Sequence, residues 1–163
     1  MISTALDAAD IRILSALQQY GPLSKSKLAE LVRLSPTACW ARYARLKKAG
    51  MIRGYHADLA LGKIVDVSKV VVTVSLKSHR KMDFDRFENH IKSRHEVIDC
   101  VATGGGMDYV MTVLTSGLSA FQNLMDSMLC AELGIDRYMT YIVTREVKSA
   151  QPNLGLLVTE RTS

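Results

Sequence analysis

The chain has 163 residues, of which 48% are hydrophobic, and a formal net charge of +5. This length allows one ordinary domain or two small ones, and the hydrophobic share excludes general disorder. The opening residues, with Asp7 and Asp10, lack the basic flank and apolar run of a signal peptide, and no apolar stretch is long enough to span a bilayer. We therefore predict a globular cytoplasmic protein with no membrane segment.

The sequence contains no pattern that is typical of an enzyme. Its three cysteines, Cys39, Cys100 and Cys130, are widely separated in apolar surroundings, which predicts buried free thiols in a reducing compartment. No paired Cys or His spacing suits a metal ion, and no nucleophile–base pair, acid couple or phosphate-binding loop stands out. We expect neither catalysis, nor a metal, nor a cofactor.

Positive charge is concentrated in residues 24 to 54, which hold eight Lys or Arg and a single acid, Glu30. This stretch carries +7, so the rest of the chain sums to −2. Such an imbalance within a compact helical unit is typical of a surface that meets a phosphate backbone. A basic helix face is, however, often merely solvated. The elements around the charges therefore decide between the two interpretations.

Three helices are predicted near the N-terminus. The first begins at an Asp7 cap and ends before Gly21, and its apolar residues recur at helical spacing. The second is capped by Ser24. The third is capped by Ser35, has proline at its first position and stops before Gly50. The turn between the last two helices is only three residues long, which predicts a helix-turn-helix.

The third helix is small and polar in its first turn and basic beyond it, as expected of a helix that enters the major groove. Its small side chains would lie nearest the base edges, and nearby cations would contact phosphates or guanine. The predicted DNA-binding residues are Lys25, Lys27, Ser35, Thr37, Ala38, Arg42 and Arg45.

Two further features complete this predicted winged helix-turn-helix, which we assign to residues 1–58. Residues 51–57 alternate in polarity and would form a short strand or a wing. Trp40 either packs against the core of the unit, which we favour, or lies against the DNA backbone.

A second domain is predicted at residues 68–148, after a linker at residues 59–67. Two helical patterns separate four apolar stretches with strand composition, in the order strand–helix–strand–strand–helix–strand. The strands are expected at residues 70–76, 97–103, 109–114 and 138–147. This order is the ferredoxin-like βαββαβ arrangement, so the fold class of the chain is α+β. The tail, residues 149–163, is either a subunit-swapping arm or loose.

Several predicted strands are apolar on both faces, as at Val71 and Val72 or at Tyr141 and Ile142. A small isolated domain rarely exposes so much apolar surface, so we expect the open face of the sheet to pack on another subunit. A dimer also suits DNA binding, because paired reading helices should meet half-sites about 34 Å apart.

Short motifs in both halves match those of a known family. They are Leu34-Ser35-Pro36-Thr37-Ala38-Cys39-Trp40, Arg42, Arg45-Leu46, Gly50-Met51-Ile52-Arg53-Gly54-Tyr55, Gly105-Gly106-Met107-Asp108-Tyr109 and Tyr141-Ile142-Val143. On these residues the chain resembles the Lrp/AsnC regulators over roughly residues 5 to 150. The resemblance implies a transcription factor with a winged helix-turn-helix and an amino-acid-sensing domain. It also implies dimers that assemble into octamers or other oligomers.

The resemblance further implies that an amino acid or related metabolite binds between dimers, near the turn that joins the second and third strands. Asp108 in this turn would be the partner of an effector amino group. The family's last strand often begins with two threonines one residue apart, but here the pair is Tyr138 and Thr140, so the identity of the effector stays open. The implied effector-binding residues are Gly105, Gly106, Met107, Asp108, Tyr138 and Thr140. The spacing alone favours a plain hairpin in which Asp108 bonds local backbone, and only the resemblance gives the effector site equal weight.

The predicted function is therefore that of a sequence-specific DNA-binding transcriptional regulator that responds to an amino acid or related small metabolite. The alternative is an architectural DNA-binding protein that needs no effector. The same basic helices would serve both, because phosphate contacts supply nonspecific affinity in either case. Preference for an operator over bulk DNA separates the two.

Overall fold

The computed structural model describes residues 6–159 and divides them into two compact units. The N-terminal unit consists of residues 6–58 and 148–159, and the sheet unit consists of residues 59–147. Apart from a short 3-10 helix, Leu61–Lys63, the elements are α1 (Ala8–Tyr20), α2 (Lys25–Val32), α3 (Pro36–Lys48), β1 (Ser68–Leu76), α4 (Lys81–Lys92), β2 (Val97–Ala102), β3 (Tyr109–Thr115), α5 (Leu118–Cys130), β4 (Ile135–Ile142) and α6 (Leu154–Thr159).

The three predicted N-terminal helices form where their caps indicate. Asp7 accepts the N–H of Asp10 at 2.8 Å and the Asp10 carboxylate accepts the N–H of Asp7 at 3.2 Å, which makes a complete capping box for α1. Ser24 and Ser35 accept N–H groups in the first turns of α2 and α3. These side chains satisfy donors that would otherwise lack partners at the helix ends.

The core of the N-terminal unit is small and draws on all three helices. Its buried members are Ile13, Leu17, Leu28, Ala29, Val32, Cys39 and Leu46. The segment that follows residue 148 also belongs to this unit, where α6 contacts α1. Within the tail, residues 154–159 are therefore not loose, because they form α6 and contact α1.

Residues 51–57 form no strand, so of the two predicted forms the short strand is wrong and the wing remains. A strand needs a hydrogen-bonded neighbour, and every strand among the described residues lies in the sheet unit. Tyr55 instead interacts with Tyr43 of α3. Burial and the neighbouring Tyr43 raise the pKa of Tyr55 to about 12. The segment thus follows α3 as a wing that is held by side-chain contact.

The sheet unit has the predicted βαββαβ order. Its four strands pair in the order β2-β3-β1-β4, and every neighbouring pair is antiparallel. Residues of β1 alternate in burial, so that Val70, Val72, Val74 and Leu76 face the core. Phe87 of α4 and the apolar face of α5 cover this side of the sheet.

The last strand occupies Ile135–Ile142, so the predicted range 138–147 is wrong at both ends. β4 is an edge strand that pairs with β1, and its extent follows that of β1 to within two residues. Ile135 lies opposite Leu76, the last residue of β1, and Ile142 lies opposite Val70. Val143 N–H still donates to Lys69 O at 2.9 Å, and the pairing ends there.

The other face of the sheet is open and apolar. Val101, Met139 and Tyr141 are 48, 42 and 52% exposed on it, and the buried hydroxyl of Thr73 in the central strand β1 has no hydrogen-bond partner among the described residues. Such a surface is unusual for a monomer of this size.

Free thiols are found at all three cysteines, but only two of them are shielded. Cys39 is buried and Cys100 is half-buried, whereas Cys130 is exposed at the end of α5, where the helix has left the core. The prediction that all three are buried is therefore wrong for Cys130. In the described part of the chain no helix is long and apolar enough to cross a membrane, and no three potential metal ligands cluster.

Candidate functional site

The first turn of α3 presents small side chains to solvent. Ser35, Thr37 and Ala38 are all exposed, as is Ala41 one turn further on. Ser35 uses its hydroxyl to accept the N–H of Ala38 at 3.3 Å, so it also fixes the direction in which the helix begins. The helix backbone can therefore approach another surface closely at this tip. The three small residues predicted to lie near base edges come together here.

Arg42 and Arg45 point back to α1 and pair with its acids. Arg42 Nη1 lies 2.6 Å from Asp7 Oδ2 and 2.9 Å from Asp10 Oδ1, and Arg45 Nη2 lies 2.5 Å from Asp10 Oδ2. Asp10 is only 1% exposed, so its carboxylate depends on these partners. The four side chains line a cleft of about 480 Å³ beside the tip of α3, together with Ala38 and Ala41.

The two arginines that were predicted to contact phosphate or guanine thus already have acidic partners within the unit. Their charges are balanced by Asp7 and Asp10, and Arg42 links α3 directly to the capping box of α1. The sequence held a signal for the network that was missed. Two acids three residues apart on one helix match two arginines three residues apart on another, and this spacing places each pair on one helix face.

Folding lowers the pKa of Asp10. Burial by itself raises it, but hydrogen bonds from Arg45, from the backbone of Asp7 and from Arg42 together outweigh burial. The pKa of Asp7 is lowered by the backbone N–H of Asp10 and by Arg42. A carboxylate with a lowered pKa stabilises the fold above its unfolded-state pKa and loses that contribution as pH falls through the folded-state value.

We therefore predict that wild-type protein loses an Asp10-dependent share of its stability in acid. The difference in free energy of unfolding between wild type and Asp10→Asn should be constant from about pH 7 to about pH 5, and it should shrink below the unfolded-state pKa near 3.8. Urea unfolding at several pH values, followed by the fluorescence of Trp40, measures it. A difference that stays constant down to pH ~3 would contradict the assignment.

Trp40 is 38% exposed and stacks on Tyr43, with ring centroids 4.7 Å apart. The favoured prediction of core packing is therefore wrong. One step along a helix rotates a side chain by about 100°, and Cys39 already occupies the inward direction. The Lys25 ammonium of α2 lies 4.1 Å from the centroid of the Trp40 ring. Lys27 pairs instead with Glu30, at 3.1 Å.

In the sheet unit, the turn between β2 and β3 contains Gly105, Gly106, Met107 and Asp108. The glycines are exposed, and Gly105 has φ +129°, a conformation that L side chains rarely adopt. The turn is closed by Thr103, whose N–H donates to Asp108 O at 2.8 Å and whose hydroxyl donates to Met107 O at 2.6 Å.

Asp108 closes its own hairpin with its carbonyl, but its N–H and its side chain bond the end of β1. Its N–H donates to Val74 O at 2.9 Å, and its carboxylate accepts the N–H of Leu76 at 2.7 Å. The same carboxylate lies 3.0 Å from His79 Nε2. The alternative in which Asp108 bonds local backbone is therefore wrong for its side chain, which bonds β1, and right for its carbonyl, which accepts the N–H of Thr103. His79, in the loop after β1, was not anticipated, because nothing in its sequence spacing connects it with residue 108.

Tyr138 and Thr140 lie within β4, at positions opposite Val74 and Val72 of β1. β1 separates β4 from β3, so within one chain these residues are about two strand spacings, ~10 Å, from the strand that follows the turn. The side chain that does reach the turn from β4 is Arg137, whose Nη2 lies 3.8 Å from Met107 Sδ. Strand alternation directs the side chains of residues 137 and 138 to opposite faces of the sheet. The comparison of Tyr138 and Thr140 with the family's two threonines drew attention to the face that Arg137 does not occupy.

Comparisons with known proteins agree with these two units. Residues 6–53 match the family model for winged helix-turn-helix DNA-binding domains, and residues 69–152 match the Lrp/AsnC ligand binding domain. The chain is 42% identical to the transcriptional regulatory protein DoeX of Halomonas elongata over 151 residues, which cover 93% of this chain and 96% of that one. It is 33% identical to the leucine-responsive regulatory protein of Escherichia coli over 146 residues, covering 89 and 88% of the two chains.

Solved structures give the same result. A transcriptional regulator of Neisseria meningitidis, determined in complex with L-methionine, aligns with a TM-score of 0.83 and 29% identity over 93% of this chain and 99% of that one. An AsnC family regulator of Agrobacterium tumefaciens aligns with a TM-score of 0.82 and 26% identity, covering 90% of this chain and 95% of the other. The chain therefore belongs to the Lrp/AsnC family of DNA-binding transcriptional regulators, with an N-terminal winged helix-turn-helix and a C-terminal ligand-binding domain.

Proposed function

We propose that this regulator reads a specific operator with the first turn of α3 and changes its DNA occupancy when an amino acid or related small metabolite binds near the turn between β2 and β3. The observation that carries the first part is the exposed cluster of Ser35, Thr37 and Ala38 at a well-capped helix tip. Ser and Thr hydroxyls can bond base edges, and Ala and Thr methyl groups can contact thymine methyl groups.

Phosphate contacts fix the register of this helix on the duplex. Lys25 and Lys27 lie in the first turn of α2, next to α3, and we assign them to the DNA backbone. Arg42 and Arg45 contribute mainly by holding α3 on α1 through Asp10, and a phosphate would have to compete with these carboxylates. Lysine charges thus supply most of the salt-dependent affinity of this surface.

An amino acid is the proposed class of effector because a carboxylate and a guanidinium lie near one end of β1. Asp108 places a carboxylate beside Leu76 and His79, and Arg137 reaches Met107 from the opposite side of β1. A free amino acid carries an ammonium and a carboxylate, which these two side chains complement. Exposed Gly105 and Gly106 allow such a ligand close to their backbone N–H groups. The relative bound to L-methionine supports this class of effector.

Assembly completes the proposed site. The open apolar face of the sheet is suited to pairing two copies, and the residues Tyr138 and Thr140 would contribute to a pocket shared with the turn of another copy. We propose homodimers that associate further, up to an octamer, in the cytoplasm. Several weak sites in one oligomer gain avidity of ~10²–10⁴ when the geometry permits, so an effector that alters dimer packing changes how many sites are engaged.

Competition between an operator and bulk DNA tests this function. DNA fragments selected by the protein from a random pool should outcompete calf-thymus DNA at physiological salt by ~10³-fold or more, which is typical of specific binders. Retention on selected fragments, measured by gel shift, should then change in the presence of at least one of the twenty amino acids. Equal affinity for both DNAs would favour the effector-independent architectural role.

A further inference from the structure

We propose that Trp40 is a positioning residue that presents the Lys25 ammonium, with its charge uncompensated, to a DNA phosphate. The inference rests on the DNA-binding role of α2 and α3 and gives Trp40 a part through Lys25 rather than through direct contact with the DNA. The Lys25 ammonium lies 4.1 Å from the centroid of the Trp40 ring. This distance is well within the range of a cation–π interaction.

The neighbouring candidate cations are held in a different way. Lys27 is paired with Glu30, and Arg42 and Arg45 are paired with Asp7 and Asp10. Each of those contacts brings a negative charge that offsets the cation. Within residues 6–159, Lys25 has no carboxylate partner, and the group that holds it is a neutral ring. An aromatic ring fixes the direction of an ammonium without cancelling its charge toward a phosphate.

The ring itself is held in place. Trp40 stacks on Tyr43, with ring centroids 4.7 Å apart and an interplanar angle of 23°. A ring that packs against a neighbour on its own helix has less freedom to rotate away. An exposed lysine side chain normally samples many rotamers. The stacked ring therefore gives the Lys25 ammonium a defined position.

Lys25 needs such a support because of its place in α2. It is the first residue of that helix, Lys27 is the third, and no acid lies in the first turn. The positive end of the helix dipole repels cations there, so an unsupported ammonium would be expected to swing outward. The same end attracts a phosphate, because its free N–H groups point outward. Trp40 keeps the ammonium beside these groups and next to α3.

Salt-dependent DNA binding tests the proposal with four variants of the full-length chain. A plot of log affinity against log salt has a negative slope, and one lost phosphate contact makes it shallower. Lys25→Met and Trp40→Leu should each reduce the magnitude of this slope by about 0.9 per bound subunit. At ~0.15 M salt this corresponds to about fivefold weaker binding per subunit, on selected and bulk DNA alike. Trp40→Phe, which keeps an aromatic face, should retain most of the slope.

The double variant Lys25→Met/Trp40→Leu separates positioning from mere packing. If Trp40 acts through Lys25, the double variant binds no more weakly than Lys25→Met, because the contact is already absent. If Trp40 only stabilises the fold, its replacement lowers the unfolding temperature but leaves the salt slope unchanged, and the proposal is overturned. It is equally overturned if Trp40→Phe loses as much slope as Trp40→Leu. Failure of wild-type protein to bind DNA would instead contradict the proposed function.

Discussion

Replacement of Asp10 by Asn is expected to destabilise the N-terminal unit by about 3 kcal/mol, the lower end of the range for breaking a buried ion pair. The carboxylate is 1% exposed and receives hydrogen bonds from Arg42, Arg45 and the N–H of Asp7. Asn offers one oxygen and no charge, so at least one arginine loses its partner. The loss of unfolding free energy stays at the lower end of that range because the guanidinium groups of Arg42 and Arg45 are partly exposed and can be hydrated.

Urea unfolding measures this loss, and the chain provides its own probe. Trp40 is the single tryptophan and lies in α3, so its fluorescence reports on the N-terminal unit. DNA affinity should fall with stability, because α3 is then no longer held against α1. Arg42→Met, which leaves Asp10 with the Arg45 contact, should have a smaller effect than Asp10→Asn.

Asp7→Asn is the matched control for this prediction. Asp7 is exposed, and Asn is as good an N-cap as Asp, so the first turn of α1 should keep its cap. We expect a much smaller loss of stability than for Asp10→Asn, because an exposed ion pair is screened by water. If Asp7→Asn and Asp10→Asn destabilise the unit equally, burial of the Asp10 carboxylate does not contribute as described.

The second large effect is expected at Asp108, where Asn should shift the response to about tenfold to hundredfold higher effector concentrations than wild type requires. Asn can still accept the Leu76 N–H with its side-chain oxygen, so the end of β1 keeps its partner. It carries no negative charge for an ammonium group. Loss of a charged hydrogen bond costs ~1.5–3 kcal/mol, which corresponds to about tenfold to hundredfold weaker binding. Ala would also leave the Leu76 donor unpaired and is therefore a less informative change.

Thermal shift with free amino acids, L-methionine and L-leucine among them, gives the binding readout, since a ligand that binds the native state raises its melting temperature. Gel shift on the selected operator gives the response. DNA affinity without effector should remain at the wild-type level for Asp108→Asn. Asp126→Asn, on the exposed surface of α5, is the control for removal of one charge from the sheet unit. A wild-type response by Asp108→Asn would place the pocket elsewhere.

Local features of the fold could be predicted because their causes lie within a few residues. Asp7, Ser24 and Ser35 each bond an N–H three positions further along, so the beginnings of three helices are visible in the sequence. The alternating burial of β1 follows from strand geometry in the same way. The end of β4 could not be predicted from its own composition, because its extent depends on the partner strand.

The candidate sites were only partly predictable. Motif resemblance located the turn at Asp108 and the tip of α3, and both are accessible in the structure. It did not indicate that Asp108 bonds β1, that His79 approaches it, or that Arg137 reaches the turn in place of Tyr138. These contacts join residues about 30 positions apart in the chain, so no local spacing encodes them.

The sequence by itself determined the existence and order of the helices α1 to α5 and of the four strands, and the region where positive charge accumulates. Hydrogen bonding and apolar periodicity within single elements are sufficient for that. Tertiary structure alone decided which of these charges remain available to DNA. Arg42 and Arg45 are balanced by acids more than 30 residues away, whereas Lys25 lies against the neutral ring of Trp40. The physical reason is that a cation's availability depends on its spatial neighbours, and packing of α1, α2 and α3 brings those neighbours together.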